Sequence, residues 1–269
     1  MSRVAFVKAH ACGNDFLVID EALALGNHAA IALKFCARNT GIGADGIEFL
    51  DRRADGTFFL RLFNADGSEA ELSGNGTRCV AAWLAASEGR EDATFGTHGG
   101  LRTCKVVRRE GPAWWIESGM GVPRVMQRAI EIAGIDGVIR GAMVNVGNPH
   151  FVIFTDREDF SSHGFTWQEL GAKISIDPLF RFGTNVEFVR ILAPGEIAFR
   201  IYERGCGPTT SSGTGTCASS AAAMALRGAA RELTAVAQGG AQRVVWSTDT
   251  SEMMLTGPAE IICTGEAEF

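Results

Sequence analysis

The stretch "SEAELSGNGTRCVAAWLA", Ser68 to Ala85, places a serine directly before a Gly-Asn-Gly turn that opens an apolar, helix-like segment. A second stretch, "TTSSGTGTCASSAAAMA", Thr209 to Ala225, repeats this arrangement with a Gly-Thr-Gly turn. Such a turn at a helix start offers unpaired backbone N–H groups and the positive end of the helix dipole, which together bind a carboxylate or phosphate. Two such corners in one chain can hold one anion from both sides.

The two corners belong to a longer internal repeat. The alignment of "LRLFNADGSEAELSGNGTRCVAAWLA" with "FRIYERGCGPTTSSGTGTCASSAAAMA" needs no gap and places Ser73 and Ser212 139 positions apart. Upstream, "GNDFLVID" matches "GNPHFVIF" at an offset of 134, and "GADGIEFL" loosely matches "GTNVEFV". Because the three segments keep the same order in both halves, the sequence predicts a duplicated fold.

Each half has the composition of a mixed α+β lobe. Runs such as "FLVID", "FFLRLF", "VEFVRIL" and "IAFRIY" are rich in β-branched and aromatic residues, whereas "AAIALKFCAR", "GTRCVAAWLAAS" and "CASSAAAMALRG" are helical in length and composition. The Gly- and Pro-containing segment Ser118 to Val125 marks the boundary. We therefore predict an N-terminal lobe over residues 1–120, joined by the C-terminal segment 263–269, and a C-terminal lobe over 121–262. Pseudo-twofold symmetry would form an active-site cleft between the lobes, across which Ser73 and Ser212 face each other.

Composition and charge exclude several functional classes. The apolar fraction of 46% and the charged fraction of 21% are those of a globular protein. A net charge of -6, with no basic stripe, argues against nucleic acid as a partner. The seven cysteines form no C-x-x-C pair, and no leader or membrane-spanning segment is evident. We expect a cytoplasmic protein that binds a small molecule and no membrane, with a homodimer left open.

Sequence motifs for cofactors and metals are not matched in context. "GIGADG", Gly41 to Gly46, fits G-x-G-x-x-G but precedes the strand-like "IEFL" rather than a helix, so it is interpreted as a turn. No P-loop ending is present, and the five histidines lack the spacing of metal ligands. We therefore expect neither a cofactor nor a metal.

Six ordered motifs together resemble the signature of the diaminopimelate epimerase family. They are "FVKAHACGNDFLVID", "NTGIGADG", "FNADGSEAELSGNG", "VNVGNPHFV", "GTNVEFV" and "ERGCGPTTSSGTGTCA", and the resemblance extends over almost the whole chain. It implies a two-lobed enzyme that needs no pyridoxal phosphate and inverts the α-carbon of an amino acid. Such inversion requires a base on one face of the carbon and an acid on the other.

The resemblance also implies which residues act as acid and base. The family carries a cysteine at each of the two positions that Ser73 and Ser212 occupy here. His150 and Glu203 match the residues that tune the two thiols, although each taken alone is more typical of a satisfied core histidine and a surface glutamate. Cys79 and Cys217 lie farther along their helices and are interpreted as small buried apolar residues.

Substrate contacts are likewise implied by the resemblance. The positions that match the family's distal amino-acid site are Asn64, Asn148, Asn185 and Arg204. Asn14 matches a residue near the reacting end. The helix starts at Gly74–Asn75 and Gly213–Thr214 are placed to bind the α-carboxylate. The function implied is interconversion of L,L- and meso-diaminopimelate, a precursor of lysine and peptidoglycan.

A serine at both acid/base positions leaves several explanations open, because a hydroxyl is a far weaker acid than a thiol. The serines can be replacements that trap an inactive, ligand-binding form, or natural groups primed by their neighbours. The third explanation is different chemistry, a cofactor-independent proton-shifting isomerase in which His150 or Glu203 acts directly.

Overall fold

The computed structural model describes residues 3–269, and the chain divides into two compact units. The first unit comprises residues 1–119 and 256–269, and the second comprises residues 120–255. The segment that returns to the first unit is longer than the predicted 263–269. It begins at Thr256 because the last strand already pairs with the first strand at Glu260, opposite His10.

Over its described residues, 3–119 and 256–269, the first unit contains eight strands from the N-terminal segment, two α-helices, one 3-10 turn at Glu21–Leu23 and the C-terminal strand. Its strands are β1 (Arg3–Ala11), β2 (Asn14–Asp20), β3 (Gly46–Arg52), β4 (Phe58–Asn64), β5 (Glu69–Ala70), β6 (Asp92–Thr97), β7 (Gly100–Glu110), β8 (Ala113–Gly119) and β17 (Met254–Glu268). Its helices are α1 (His28–Phe35) and α2 (Gly74–Glu88).

The second unit contains the remaining eight strands and two helices. The strands are β9 (Arg124–Ile130), β10 (Ile139–Asn145), β11 (Pro149–Phe154), β12 (Asn185–Ala193), β13 (Glu196–Glu203), β14 (Gly207–Thr209), β15 (Glu232–Ala237) and β16 (Gly240–Val245). The helices are α3 (Trp167–Ser175) and α4 (Gly213–Arg227).

Strand pairing repeats between the units. In the first unit β1 and β2 are antiparallel, β2 and β3 parallel, β3 and β4 antiparallel, β4 and β6 parallel, and β6 and β7 antiparallel. The second unit has the same series with β10, β11, β12, β13, β15 and β16. The predicted duplicated α+β fold is therefore confirmed. The prediction that Ser73 and Ser212 face each other across a cleft stays a prediction.

Each unit packs one helix on either face of its sheet, which explains why the central strands are apolar on both sides. Along β2, Phe16 and Val18 pack with α2, whereas Leu17 and Ile19 pack with α1. The second unit repeats this with α4 on one face and α3 on the other. Side chains alternate along a strand, so odd and even positions of β3 and β12 face different helices.

Helix α3 lies in a segment where the patterns above predict no helix. Thr166 caps its N-terminus by accepting a hydrogen bond from the Glu169 N–H, and the Glu169 carboxylate in turn accepts one from the Thr166 N–H. This T-x-x-E capping box, followed by the buried Leu170 and Ile174, is a sequence signal that would have predicted the helix.

Candidate active site

Ser73 forms the N-terminal cap of α2. Its backbone is extended, with φ -127° and ψ 124°, and its Oγ accepts a hydrogen bond of 3.0 Å from the Gly76 N–H. The Thr77 hydroxyl donates to the Ser73 carbonyl at 2.6 Å. The half-buried serine is therefore fixed at the positive end of a 15-residue helix.

Ser212 caps α4 in the same way. Its φ is -142° and its ψ 131°, its Oγ accepts from the Gly215 N–H at 3.3 Å, and Thr216 donates to its carbonyl at 2.7 Å. The hydroxyl also lies 3.4 Å from that of Thr214, and both side chains are buried. The two units thus build one local structure twice, as the repeat predicts.

A chain of buried amides holds the start of α2 against β2. The Arg78 guanidinium donates to Asn75 Oδ1 at 2.6 Å, and the Asn75 amide donates to Asn14 Oδ1 at 3.0 Å. The Asn14 amide then donates to a carboxylate oxygen of Asp45 at 2.7 Å. This order fixes the orientation of both amides. Asn14 and Asn75 are thereby brought into contact with each other.

The outer end of this chain is an ionic cluster. Arg38 contacts Asp15 at 2.8 Å and Asp45 at 2.6 Å, and Lys8 contacts Asp15 at 3.2 Å. Burial by itself would raise the pKa of Asp15, but the hydrogen bonds and charges of Arg38 and Lys8 outweigh it and lower that pKa. Asp15 is therefore ionised in the folded protein at neutral pH.

Replacing Asp15 with Asn should lower the free energy of unfolding at neutral pH by about 1–3 kcal/mol, since two cations lose a buried ionised partner. A carboxyl whose folded pKa is lowered stabilises the fold above its unfolded pKa, and this contribution disappears as the pH falls through the folded pKa. The difference between parent and variant in urea unfolding should therefore shrink below about pH 4. A difference that persists unchanged into acid would contradict this assignment.

In the second unit, His150 is buried between two polar groups. Its Nδ1 lies 2.6 Å from a Glu187 carboxyl oxygen, and its Nε2 lies 2.8 Å from Asn148 Oδ1. The side chains of His150 and Glu187 have no solvent exposure. Burial raises the pKa of Glu187, while the nearby imidazole opposes that rise. Because the imidazole must donate to Asn148 through Nε2, one further proton is shared between Nδ1 and Glu187.

Glu203 is half-buried. The expectation that this residue, without the family resemblance, is a surface glutamate is therefore wrong. Thr209 donates a short hydrogen bond to its carboxyl group, and Ser212 also hydrogen-bonds to it. Burial raises the pKa of Glu203, and these two hydroxyls partly offset that effect. A carboxyl group with a raised pKa thus lies beside the capping serine of α4.

Three of the four residues predicted to hold the distal end of the substrate lie in the second unit. Asn185 donates to the Pro149 carbonyl at 3.1 Å and accepts from the Arg204 N–H at 2.9 Å. The half-buried Arg204 side chain donates to the Phe182 carbonyl. Asn148, already bound to His150, also reaches the Thr214 hydroxyl at 3.4 Å.

Asn64 lies in the first unit, at the end of β4. Its amide donates to the Ser68 hydroxyl at 3.0 Å within the turn between β4 and β5. Gly74 at the helix start is buried, as is its counterpart Gly213. The structure therefore joins Asn14 to the start of α2, and Asn148 and Glu203 to the start of α4.

The sequence interpretation missed two buried glutamates, Glu48 and Glu187. Each is the single charged residue in an apolar core stretch, "GIEFL" or "NVEFV", and each is no more than 1% exposed. They lie 139 positions apart, the same offset as the two capping serines. A charged residue repeated at equivalent positions of two buried strands was the signal that could have revealed them.

Cys79 and Cys217 are both fully buried, which confirms their interpretation as small core residues. Burial raises the pKa of the Cys79 thiol well above its usual range. None of the seven cysteines takes part in a disulfide within residues 3–269. Over the same residues, no His, Cys, Asp or Glu side chains gather in a group of three that could hold a metal, and no helix has the length and apolarity to cross a membrane.

Comparisons with known proteins show the family and the fold of this chain. The family model described as diaminopimelate epimerase matches residues 6–126 and 142–262. The diaminopimelate epimerase of Desulforudis audaxviator is 34% identical over 281 residues, covering 97% of this chain and 98% of that protein. A solved hydroxyproline epimerase from Agrobacterium vitis, with bound trans-4-hydroxy-L-proline, has a TM-score of 0.75 at 15% identity and covers 98% of this chain and 92% of that chain. A PhzF-family phenazine biosynthesis protein of Bacillus anthracis has the same TM-score at 14% identity and covers both chains completely.

Proposed function

The chain belongs to the diaminopimelate epimerase family, and we propose on that premise that it inverts the α-carbon of an amino acid by two-base proton transfer. The family consists of epimerases and isomerases that act without pyridoxal phosphate. The observation that carries the proposal is the pair of matched serine caps, one in each unit. We assign Ser73 and Ser212 to the two acid/base positions.

The chemistry explains why the corner is built twice. Removing an α-proton from one face and returning a proton to the other requires two groups, which exchange roles when the reaction reverses. The carbanion formed between these steps is unstable without an electron sink, so fixed N–H donors must stabilise the charge that develops on the α-carboxylate. The starts of α2, at Gly74–Asn75, and of α4, at Gly213–Thr214, supply such donors.

A serine needs help to exchange protons near neutral pH, because its hydroxyl is a much weaker acid than a thiol. In the second unit this help comes from Glu203, which hydrogen-bonds to Ser212 and whose pKa is raised by burial. The His150–Glu187 pair holds a further proton close by. Glu203 therefore accepts the proton that Ser212 releases and returns it, while His150 orients Asn148 beside Thr214.

We further propose that the substrate is diaminopimelate, in the L,L and meso forms, which places the enzyme in lysine and peptidoglycan-precursor synthesis. Support comes from the relatives that carry this name at about one third identity over almost the full chain. The distal amino acid of such a substrate bears its own carboxylate, for which Arg204 is the bidentate partner. Asn64, Asn148 and Asn185 complete the distal contacts, and Asn14 supports the reacting end.

The function is tested by incubating the purified chain with L,L-diaminopimelate and measuring the meso isomer by chiral chromatography. Conversion supports the proposal. Binding in calorimetry without any conversion would identify a ligand-binding protein, and absence of both would favour a different isomerase reaction in which His150 or Glu203 acts directly.

Replacing Arg204 with Ala should weaken the binding of diaminopimelate, which has an amino-acid group at each end, far more than the binding of a simple amino acid. A charge-assisted bidentate contact is worth about 1.5–3 kcal/mol, so the KM for diaminopimelate should rise about 10- to 100-fold while that for a simple amino acid changes little. Arg181→Ala is the matched control, since Arg181 is an exposed arginine on the neighbouring loop. Equal losses for both substrates would place Arg204 outside the distal site.

A further inference from the structure

Glu48 is a buried carboxyl group that the proposed reaction has so far left without a role. It lies in the middle of β3, is 1% exposed, and its Oε1 has no hydrogen-bond partner within the described residues. Burying an unpaired polar group destabilises a fold, and a carboxyl is among the most costly groups to bury. Its retention in an otherwise apolar strand therefore calls for an explanation.

The position of Glu48 points to Ser73. Alternation along β3 turns its side chain toward α2, away from the α1 face where Ile47 and Phe49 pack. A Cβ atom at Gly76 would lie only 2.1 Å from Glu48 Oε1, so the carboxyl group abuts the bare backbone of this glycine. The N–H of the same Gly76 donates to Ser73 Oγ. Carboxyl and hydroxyl thus approach one residue at the positive end of α2.

In the second unit, the equivalent carboxyl group is hydrogen-bonded to a histidine. Glu187 occupies the same register on β12 as Glu48 does on β3, and it lies against Gly215, the counterpart of Gly76. Glu187 pairs with Val152 of β11, and its partner His150 lies two residues before Val152 on that strand, opposite Asn185. In the first unit the corresponding place, opposite Gly46, is taken by Phe16. The first unit therefore has the carboxyl group that corresponds to Glu187, but no imidazole that corresponds to His150.

A titratable side chain close to Glu48 is that of Cys79 on α2, whose buried thiol is neutral. Arg78, Cys12 and Asp15 act on that thiol in turn. Arg78 is bound to Asn75, and Asp15 is paired with Arg38 and Lys8. Burial raises the pKa of Glu48 to about 8, so both its protonation states are accessible near neutral pH.

We propose, on the basis of the two-base function above, that Glu48 is the positioning residue that exchanges a proton with Ser73 during turnover. When Ser73 takes the α-proton, its hydroxyl turns toward the unpartnered Oε1 of Glu48, and its own proton passes to that carboxylate. When Ser73 instead protonates the carbanion, the neutral Glu48 carboxyl restores the hydroxyl. The bond from Gly76 uses a lone pair of Ser73 Oγ and leaves its hydrogen available for this transfer.

The test is the pair of variants Glu48→Gln and Glu48→Asp, with Asp51→Asn on the same strand as control. Glu48→Gln should lower kcat for diaminopimelate about 100-fold with KM within about twofold, and it should remove the inflection near pH 8 from the pH profile. Glu48→Asp should retain that inflection and recover part of the rate. A Glu48→Gln variant with the parent's kcat and pH profile would overturn the proposal.

A double-mutant cycle separates this role from a purely structural one. Because a thiol ionises without help near pH 8.5, the loss caused by Glu48→Gln should fall below about 10-fold in a Ser73→Cys background and stay at its full size in a Ser212→Cys background. Equal losses in all backgrounds would show that Glu48 only supports the fold. If the parent itself never exchanges an α-proton, the proposed function fails and this inference falls with it.

Should Glu48→Gln not fold, the parent and Glu48→Asp decide the matter. Carbon-13 NMR of glutamate-labelled parent protein should then show a carboxyl resonance that titrates near pH 8 and is absent from glutamate-labelled Glu48→Asp. Absence of any such glutamate resonance would contradict the proposal as directly as an unchanged rate.

Discussion

Replacing both capping serines, Ser73→Cys together with Ser212→Cys, is expected to raise the rate of epimerisation about 100-fold or more. Each proton transfer has its own group, and one positioned acid or base contributes about 10² to 10⁴ in rate. A thiol titrates near pH 8.5 and is further acidified at a helix N-terminus, so it exchanges protons far more readily than a hydroxyl. Both serines cap helices in the geometry that such acidification requires.

The single variants are the internal controls for this experiment. Ser73→Cys or Ser212→Cys alone improves one face of the α-carbon, and turnover remains limited by the serine on the other face. Each should therefore give a smaller gain than the double variant, measured as kcat/KM for conversion of the L,L to the meso isomer. A double-cysteine protein that binds diaminopimelate and reacts no faster than the parent would favour the alternative in which His150 or Glu203 acts directly.

Replacing Glu203 with Gln is expected to produce the largest loss of activity. The glutamine keeps the shape and can still accept a hydrogen bond from Thr209, but it cannot take up the proton of Ser212. We expect kcat to fall about 10²- to 10⁴-fold with little change in KM, because the carboxyl acts in the proton-transfer step and not in binding. Steady-state kinetics on folded protein measures both parameters.

Glu196→Gln provides the matched control, since Glu196 is an exposed glutamate at the other end of the same strand, β13. It should leave kcat unchanged. If Glu203→Gln behaves like this control, Ser212 receives no help from Glu203, and the His150–Glu187 pair becomes the remaining source of a proton in that unit.

The repeat in the sequence was enough to predict the duplicated fold and the two serine corners. The ungapped offset of 139 predicts the sequence position of helix α4 from that of α2. Both helices begin at the residues that the Gly-x-Gly turns predict. Helix α3 was missed because its amphipathic turn is short, and only its capping box at Thr166 marks it. Local patterns thus predicted the long, regular elements best.

The polar network of the candidate site could not be predicted from local patterns. Asn75 and Asn14 hydrogen-bond across 61 positions of sequence, and His150 and Glu187 across 37. A glutamate such as Glu203 at a strand end is typical of a solvated surface, and only the fold brings Thr209 and Ser212 against its carboxyl. Burial of Glu48 and Glu187 follows from a helix on each face of the sheet, which is a tertiary property.

Deuterium labelling distinguishes a reaction in which one acid/base group serves each face of the α-carbon from its alternatives. The parent chain is incubated with L,L-diaminopimelate in deuterated water, and product and remaining substrate are analysed by mass spectrometry at early conversion. We expect deuterium at the inverted α-carbon of the meso product and none in the recovered L,L substrate, because each group returns its own proton to its own face. Equal labelling of product and recovered substrate, or no labelling of either, would contradict it.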